Sequence, residues 1–323
     1  MPLVGTSERQ NGAMPTFARL LQAAAAGALV VAVSQGVVAG PATSAPVVQV
    51  AREGILPWEG SEPEGVQAPG AALADGVTGS ILWSRELNTP VPIASIAKVM
   101  TALVAINAGD LDRAITVPAA SIDYCVRLGG STAGLAAGEV LSTRELLYGL
   151  LLPSGCDAAY TLAEAYGPGQ EGFLARMNDT AAQMGLGATY FADPSGLPVP
   201  TDGATYSTPA DLVALGLRAM VLPVFREVAG AQSHHLAAGP ANRDHVWQTT
   251  NQLLRSYPGA IGIKTGSTDA AGACLLFEAV RAGIPMIGVV LHSAAWSGGA
   301  ARDDAERMLD WAYDPILTAL PIG

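Results

Sequence analysis

Lysine is almost missing from this chain: of 17 basic residues only Lys98 and Lys264 carry an ammonium group, and the rest are arginine. Charge of any kind is sparse, at 14% of residues against 50% hydrophobic, which excludes a disordered chain and supplies apolar surface for a sizeable core. The balance is acidic, −11, and excludes the basic face that nucleic acid requires, so no nucleic-acid partner is expected. Histidine is scarce too. His234, His235, His245 and His292 show no metal-ligand spacing and no Cys-x-x-Cys pair exists, so no metal and no cofactor are expected. The neighbours His234 and His235 read as a surface pair. Three cysteines, Cys125, Cys156 and Cys274, allow one disulfide and one free thiol in an oxidising compartment, with the pairing left open. No Gly-x-Ser-x-Gly elbow is present, which excludes a conventional Ser-His-Asp hydrolase.

A full membrane span of roughly 20 apolar residues is lacking as well. Behind Arg9 and Arg19 the apolar heart Ala23 to Val33 (AAAAGALVVAV) is 11 residues long, the length of a secretory signal's core, and small residues follow. Residues 1–45 are therefore expected to be an export signal, cut after Ala39 or Ala45, or a signal anchor giving N-terminal membrane association. No cysteine follows closely enough for a lipid anchor. Residues 46–70, rich in Pro, Gly and Glu, read as a linker, leaving 71–323 as the exported folded domain.

Within that domain two short strands are expected around a turn at Asp75-Gly76, with ILW at 81–83 in the second. From Ser95 apolar residues recur at helical spacing (Ile96, Val99, Met100, Leu103, Val104), and Gly109 ends the run. The stretch from about 110 to 245 reads as mostly helical: 143–152, 157–165, 173–184, and 209–222 with Pro209 at its first position and Thr208 as cap. From Gly259 the pattern turns to strand: AIGIKTGS, then CLLFEAV and MIGVVLHS flanking the turn RAGIP. A last helix is expected over 301–313. Strands at both ends around a helical middle predict an α/β (α+β) fold. One antiparallel sheet is built from both chain ends and flanked by helices, with a helical subdomain inserted.

The two lysines carry the chemistry. Lys98 stands three residues after Ser95, one turn along the same helix face. A serine hydroxyl is a poor nucleophile until an adjacent base takes its proton. A lysine amine is such a base once its pKa falls from about 10.4 to about 7–8, a differential destabilisation of about 3–4 kcal/mol. Burial and a second nearby cation would supply it. Lys264, in Lys264-Thr265-Gly266 on a strand, is the one other lysine, and arginine could not do this work because it keeps its proton. Ser-x-x-Lys alone is a weak signal: a serine at a helix start is ordinarily a cap.

Order and combination sharpen it. Ser154-Gly155-Cys156 falls between the two lysine motifs, on an expected loop. Ser-x-x-Lys, a Ser-x-Asn-like triplet and Lys-Thr-Gly are the set used by penicillin-binding proteins and β-lactamases. PIASIAKVMTAL, LLLPSGCDAAYTLAE, FLARMNDTAAQMGLGATYFADPSGL, YSTPADLVAL and IGIKTGSTDAAGACLLF together resemble the low-molecular-mass penicillin-binding proteins of the D-alanyl-D-alanine carboxypeptidase family, from about Ala71 to Trp311. The resemblance implies a β-lactamase/transpeptidase-like fold and a serine carboxypeptidase that removes D-alanine from the peptidoglycan stem peptide. β-Lactam antibiotics would be covalent inhibitors. By matching position, Ser95 would be acylated, Lys98 would be its base, and Ser154 would relay a proton to the leaving D-alanine. Lys264 would supply the electrostatic field and Thr265 would meet the substrate carboxylate. Cys156, Gly266 and Ser267 would complete substrate binding, with the Ser95 and Ser267 N–H groups as the oxyanion hole.

Two positions depart from the family. Cys156 stands where asparagine is usual, replacing two donors and a strong acceptor by a weak thiol unless a disulfide engages it. Ser195-Gly196-Leu197 stands where His-Gly-Leu is common. No carboxylate-binding arginine is evident, and Arg281 reads as a solvated hairpin residue. The rival readings are a DD-endopeptidase acting on cross-links, a class A-like β-lactamase with Glu164 or Glu171 activating water, and a catalytically silent wall-binding module.

Overall fold

The computed structural model describes residues 61–295 and 297–319, so the expected export signal and the linker up to residue 60 lie outside the described residues. The chain enters through β1 (Gly70–Asp75) and β2 (Ile81–Arg85), then β3 (Val91–Pro92) and α1 (Lys98–Asn107). A middle stretch follows: β4 (Ala114–Thr116), α2 (Ala119–Arg127), β5 (Val140–Ser142), α3 (Thr143–Leu151), α4 (Cys156–Tyr166) and α5 (Gly169–Gln183). Next come β6 (Tyr206–Ser207), α6 (Pro209–Met220), α7 (Pro223–Gly230), β7 (Ser233–Leu236), β8 (His245–Gln248) and α8 (Leu253–Ser256). The chain closes with β9 (Ala260–Thr268), β10 (Gly272–Arg281), β11 (Ile284–Leu291) and α9 (Gly298–Ala319).

The main sheet has the order β2-β1-β11-β10-β9 and every pairing in it is antiparallel. This is the architecture expected from strands at both chain ends. β10 is an inner strand, between β11 and β9, and its run ACLLFEA is buried on both faces, so it reads as continuous apolar sequence rather than as an alternation. One face carries α9, whose Ala305, Met308, Leu309, Ala312 and Tyr313 pack on Phe277 and Ala279 of β10. The Tyr313 hydroxyl donates to the Ala279 carbonyl at 2.7 Å. The other face carries the helical layer. There α6 approaches so closely that a Cβ at Gly216 would lie 2.9 Å from Ile287 Cδ1.

Local signals hold where they are strong. Thr208 caps α6, its Oγ1 accepting from Asp211 N at 3.1 Å, with Pro209 in the first turn. Gly109, at φ +84, follows the end of α1. Three expectations are corrected. The supposed linker does not run to residue 70: Val66 and Ala68 are buried, and Gln67 N and Ala68 N donate to the Asp304 carboxylate at 2.9 and 2.8 Å. The middle stretch also carries short strands, paired as the two-stranded ribbons β4–β5 and β7–β8 and, with β3 from ahead of α1, β3–β6, of two to four residues per strand. Such strands are too short to show a period of two. His234 is half-buried rather than freely exposed, whereas His235 is exposed. The His234 ring stacks on Tyr148 at 3.7 Å between centroids, and its Nε2 meets the Glu145 carboxylate at 2.7 Å.

Candidate active site

Ser95 lies in a 3₁₀ turn, Ala94–Ala97, that runs directly into α1. Three residues per turn eclipse positions i and i+3, which brings Lys98 Nζ to 2.8 Å from Ser95 Oγ. No side chain caps this turn or the helix behind it, so Ser95 is not an N-cap and its hydroxyl is given to the lysine. The lysine's other partner is the Ser195 carbonyl, which accepts from Nζ at 2.8 Å. Lys98 is 2% exposed. Burial brings its pKa down to about 7, against the opposing pull of the Asp193 and Asp157 carboxylates.

Lys264 is on β9, an edge strand of the sheet, and is 1% exposed. Its Nζ donates to the Thr265 carbonyl at 3.0 Å and reaches Thr265 Oγ1 at 3.4 Å. Burial pushes its pKa well below the usual lysine range, and the ammonium of Lys98 pushes it further. The sequence suggested that burial and a second cation together depress Lys98. In the structure burial is the largest cause at both nitrogens, and the mutual repulsion falls on Lys264. Gly266 lets β9 pass against the nucleophile: a Cβ there would lie 2.7 Å from Ile93 O and 3.2 Å from Ser95 N.

Ser154 precedes α4 with φ +65, a backbone conformation that only Gly adopts readily. Gly155 N donates to Gly149 O at 3.0 Å and Cys156 N to Ser131 O at 2.7 Å, which holds the bend. Cys156 is disulfide-bonded to Cys125, and Cys274 is the free, buried thiol among the described residues. Of the two alternatives left open for Cys156, the structure shows the disulfide: the residue has no S–H to offer a substrate, and its hydrogen-bonding group here is the backbone.

These elements surround a cleft of about 250 Å³. Ser95, Lys98, Cys156 and Ser267 border it directly, whereas Ser154, Lys264, Thr265 and Gly266 stand outside that lining. Its carboxylates are Asp202 and Asp269. Glu164 borders a different cleft, beside Arg113. Arg281 is tied to Tyr257, its Nη1 donating to the hydroxyl at 3.2 Å, with its guanidinium over the Tyr257 and Tyr313 rings.

The model of the D-alanyl-D-alanine carboxypeptidases matches residues 59–295. The chain belongs to that family. A D-alanyl-D-alanine carboxypeptidase of a Streptomyces species is 37% identical over 260 residues, covering 77% of this chain and 88% of the relative. One of Mycobacterium tuberculosis is 36% identical over 245 residues, covering 75% of this chain and 80% of its own length. The crystal structure of a Streptomyces DD-transpeptidase superposes with a TM-score of 0.73 at 36% identity, over 78% of this chain and 99% of that one. The carboxypeptidase-like serine peptidase fold expected from the motifs is therefore the fold of a low-molecular-mass penicillin-binding protein.

The family's motifs left several supporting residues unseen. Asp193 is buried and accepts from Ser195 N (2.7 Å), Ser195 Oγ (2.6 Å) and Leu197 N (3.0 Å), besides the Tyr160 hydroxyl. It thereby aims the Ser195 carbonyl at Lys98. Asp157 accepts from Thr132 Oγ1 (2.6 Å), Ala133 N (2.8 Å) and Leu135 N (3.1 Å), fixing the loop across from the nucleophile. Trp247 on β8 donates to the Ala133 carbonyl of the same loop at 2.7 Å. A carbonyl acting as a lysine's partner has no sequence signature. The buried aspartates do have one in retrospect, because DPSGL and GCD each set an acid beside a motif.

Proposed function

We propose that this protein is a serine D-Ala-D-Ala carboxypeptidase that removes the terminal D-alanine of peptidoglycan stem pentapeptides through an acyl-enzyme on Ser95. The observation that carries this is the 2.8 Å contact of Ser95 Oγ with a lysine whose pKa is about 7. At neutral pH a large fraction of Lys98 is an uncharged amine in contact with the hydroxyl it must deprotonate.

The peptide would lie along β9, whose outer edge carries no sheet partner among the described residues. Its terminal carboxylate would meet Thr265, Ser267 and Lys264. That negative charge would favour the ammonium form of Lys264 and so create the local field when substrate is present. Ser95 Oγ attacks the carbonyl carbon of the penultimate D-alanine as its proton passes to Lys98, and the Ser95 and Ser267 N–H groups receive the oxyanion. The C–N bond breaks, and the nitrogen takes its proton by way of Ser154. D-Alanine departs. Water then adds to the ester, its proton goes to Lys98, and Ser95 Oγ is released as a hydroxyl.

A β-lactam ring would acylate Ser95 in the same way. No glutamate borders the Ser95 cleft among the described residues, so turnover of penicillin would be slow. Export is part of the proposal, resting on the apolar run behind Arg19 and on the Cys125–Cys156 disulfide, which suits an oxidising compartment. The test is labelling with a fluorescent penicillin, wild type against Ser95→Ala, followed by assays on a pentapeptide and a cross-linked dimer. We expect a covalent adduct in the wild type alone and D-alanine release from the pentapeptide. Absence of an adduct from both proteins would defeat the reading.

A further inference from the structure

The second motif is stitched to the rest of the molecule at one point. Cys125, in the last turn of α2, and Cys156, the first residue of α4, join across 31 residues of chain with their Cα atoms 5.8 Å apart. The intervening turn closes on the bond. Gly130 N donates to Cys125 O at 2.9 Å and Cys156 N to Ser131 O at 2.7 Å. A Cβ at Gly130 would meet Cys156 Cβ at 3.0 Å and its Sγ at 3.1 Å, so the loop has no spare room against the disulfide. Gly129, Gly130 and Ser131 are also a wall of the Ser95 cleft.

The sulfurs face a second wall as well. Cys125, Cys156 and Tyr160 form a small buried cluster separate from both main cores, with Tyr124 and Leu197 packed on it. Leu197 borders the cleft, and its N–H is held by Asp193. The Tyr160 hydroxyl donates to that same carboxylate, which orients Ser195 and hence the carbonyl on Lys98 Nζ. One covalent bond thus supports the 129–131 wall, the bend at Ser154 and the Asp193 network, while standing outside the packing that holds the fold together.

We propose that the Cys125–Cys156 disulfide is a redox-sensitive positioning element of the active site: closed, it holds the second motif and the 129–131 wall in register with Ser95, and opened by a dithiol it slackens that wall and slows acylation. The proposal rests on Ser95 being the acylated residue. In the opening step a dithiol's thiolate attacks one sulfur to give a mixed disulfide, and its second thiol then displaces the protein sulfur. The cysteines end as two thiols, having gained two electrons and two protons, and the dithiol ends as a cyclic disulfide.

The experiment uses the full chain carrying Cys274→Ala, so that this pair holds the remaining sulfhydryl chemistry. Stopped-flow acylation by a fluorescent penicillin is followed in the oxidised protein, after dithiothreitol, and after reoxidation, with thiol titration reporting the state of the bond and circular dichroism reporting the fold. A second protein, Cys125→Val/Cys156→Ala on the same background, keeps apolar packing without the bond. We expect the acylation rate constant to fall about tenfold or more on reduction, the scale of a small misplacement at a reacting centre. The dichroism should be unchanged, reoxidation should restore the rate, and the Val/Ala protein should behave as the reduced form. Equal acylation rates in the open and closed states would overturn the proposal. So would global loss of dichroism on opening, which would make the bond a staple of the fold. Failure of the oxidised protein to be acylated at all would instead defeat the reading of Ser95.

Discussion

At the scale of single residues, chemistry is set by what surrounds two nitrogens. Lys98 acts as a base only when uncharged, so the acylation rate should rise with pH along a limb centred near its pKa of about 7. Asp193 is the largest influence holding that pKa up. Asp193→Asn should therefore move the limb to lower pH, while slackening the Ser195 carbonyl lowers the plateau about tenfold. Stopped-flow acylation across pH reads both effects, and an unmoved limb would show that Asp193 does not act on Lys98. Lys98→Arg should abolish acylation at every pH, since a guanidinium keeps its proton. Stability has the same origin. Unfolding returns Lys98 to its ordinary value of 10.5, so between about 7 and that value the unfolded chain binds more protons. The contribution of Lys98 to stability is thus least below pH 7 and improves as pH rises above it.

At the scale of elements, the site exists because backbones approach more closely than side chains allow. Gly196 is the tightest case: at φ +78, a Cβ there would lie 1.9 Å from the Ala94 carbonyl oxygen, beside the nucleophile turn. Gly196→Ala should displace either the 193–197 loop or the turn bearing Ser95. The expected outcome is a loss of about 3 kcal/mol of stability and a fall in acylation of about a hundredfold. Denaturant titration and penicillin labelling check the two separately. Wild-type acylation in that variant would mean that the two loops move independently. Ser154 makes a similar point. Its left-handed backbone is held by the Gly155 and Cys156 N–H bonds to distant carbonyls, not by any preference of serine.

At the scale of the whole molecule, the described chain is closed by its two ends. Asp304 on α9, fully buried, receives Gln67 N and Ala68 N and pairs with Arg307 at 3.2 Å. Asp304→Ala would strand two backbone donors, at a cost of about 2–4 kcal/mol. The change lies on the α9 side of the sheet, away from Ser95, so the acylation rate should not change. Thermal unfolding with parallel labelling tests this, and an equal loss of both would tie the terminal clasp to the site.

How much could be read without coordinates follows the range of the interactions involved. The Ser95–Lys98 pair was legible because three residues along one turn is a local distance, and Lys264 because lysine is so rare that each copy draws attention. The sheet was legible from strand patterns at both ends, and α6 from its Thr-Pro start. The short ribbons, the packed 66–68 segment and the stack at His234 were not: the ribbon strands are too short to carry a pattern, and the other two depend on partners far along the chain. By itself the sequence determined which groups do the chemistry, because side-chain type and local spacing are properties of the chain. Only the tertiary structure decided how those groups are tuned. Burial sets the lysine pKa values, Asp193 aims a carbonyl at Lys98, and Cys156 bonds to Cys125 rather than to Cys274. Desolvation and contact across long stretches of chain arise only when the chain closes on itself.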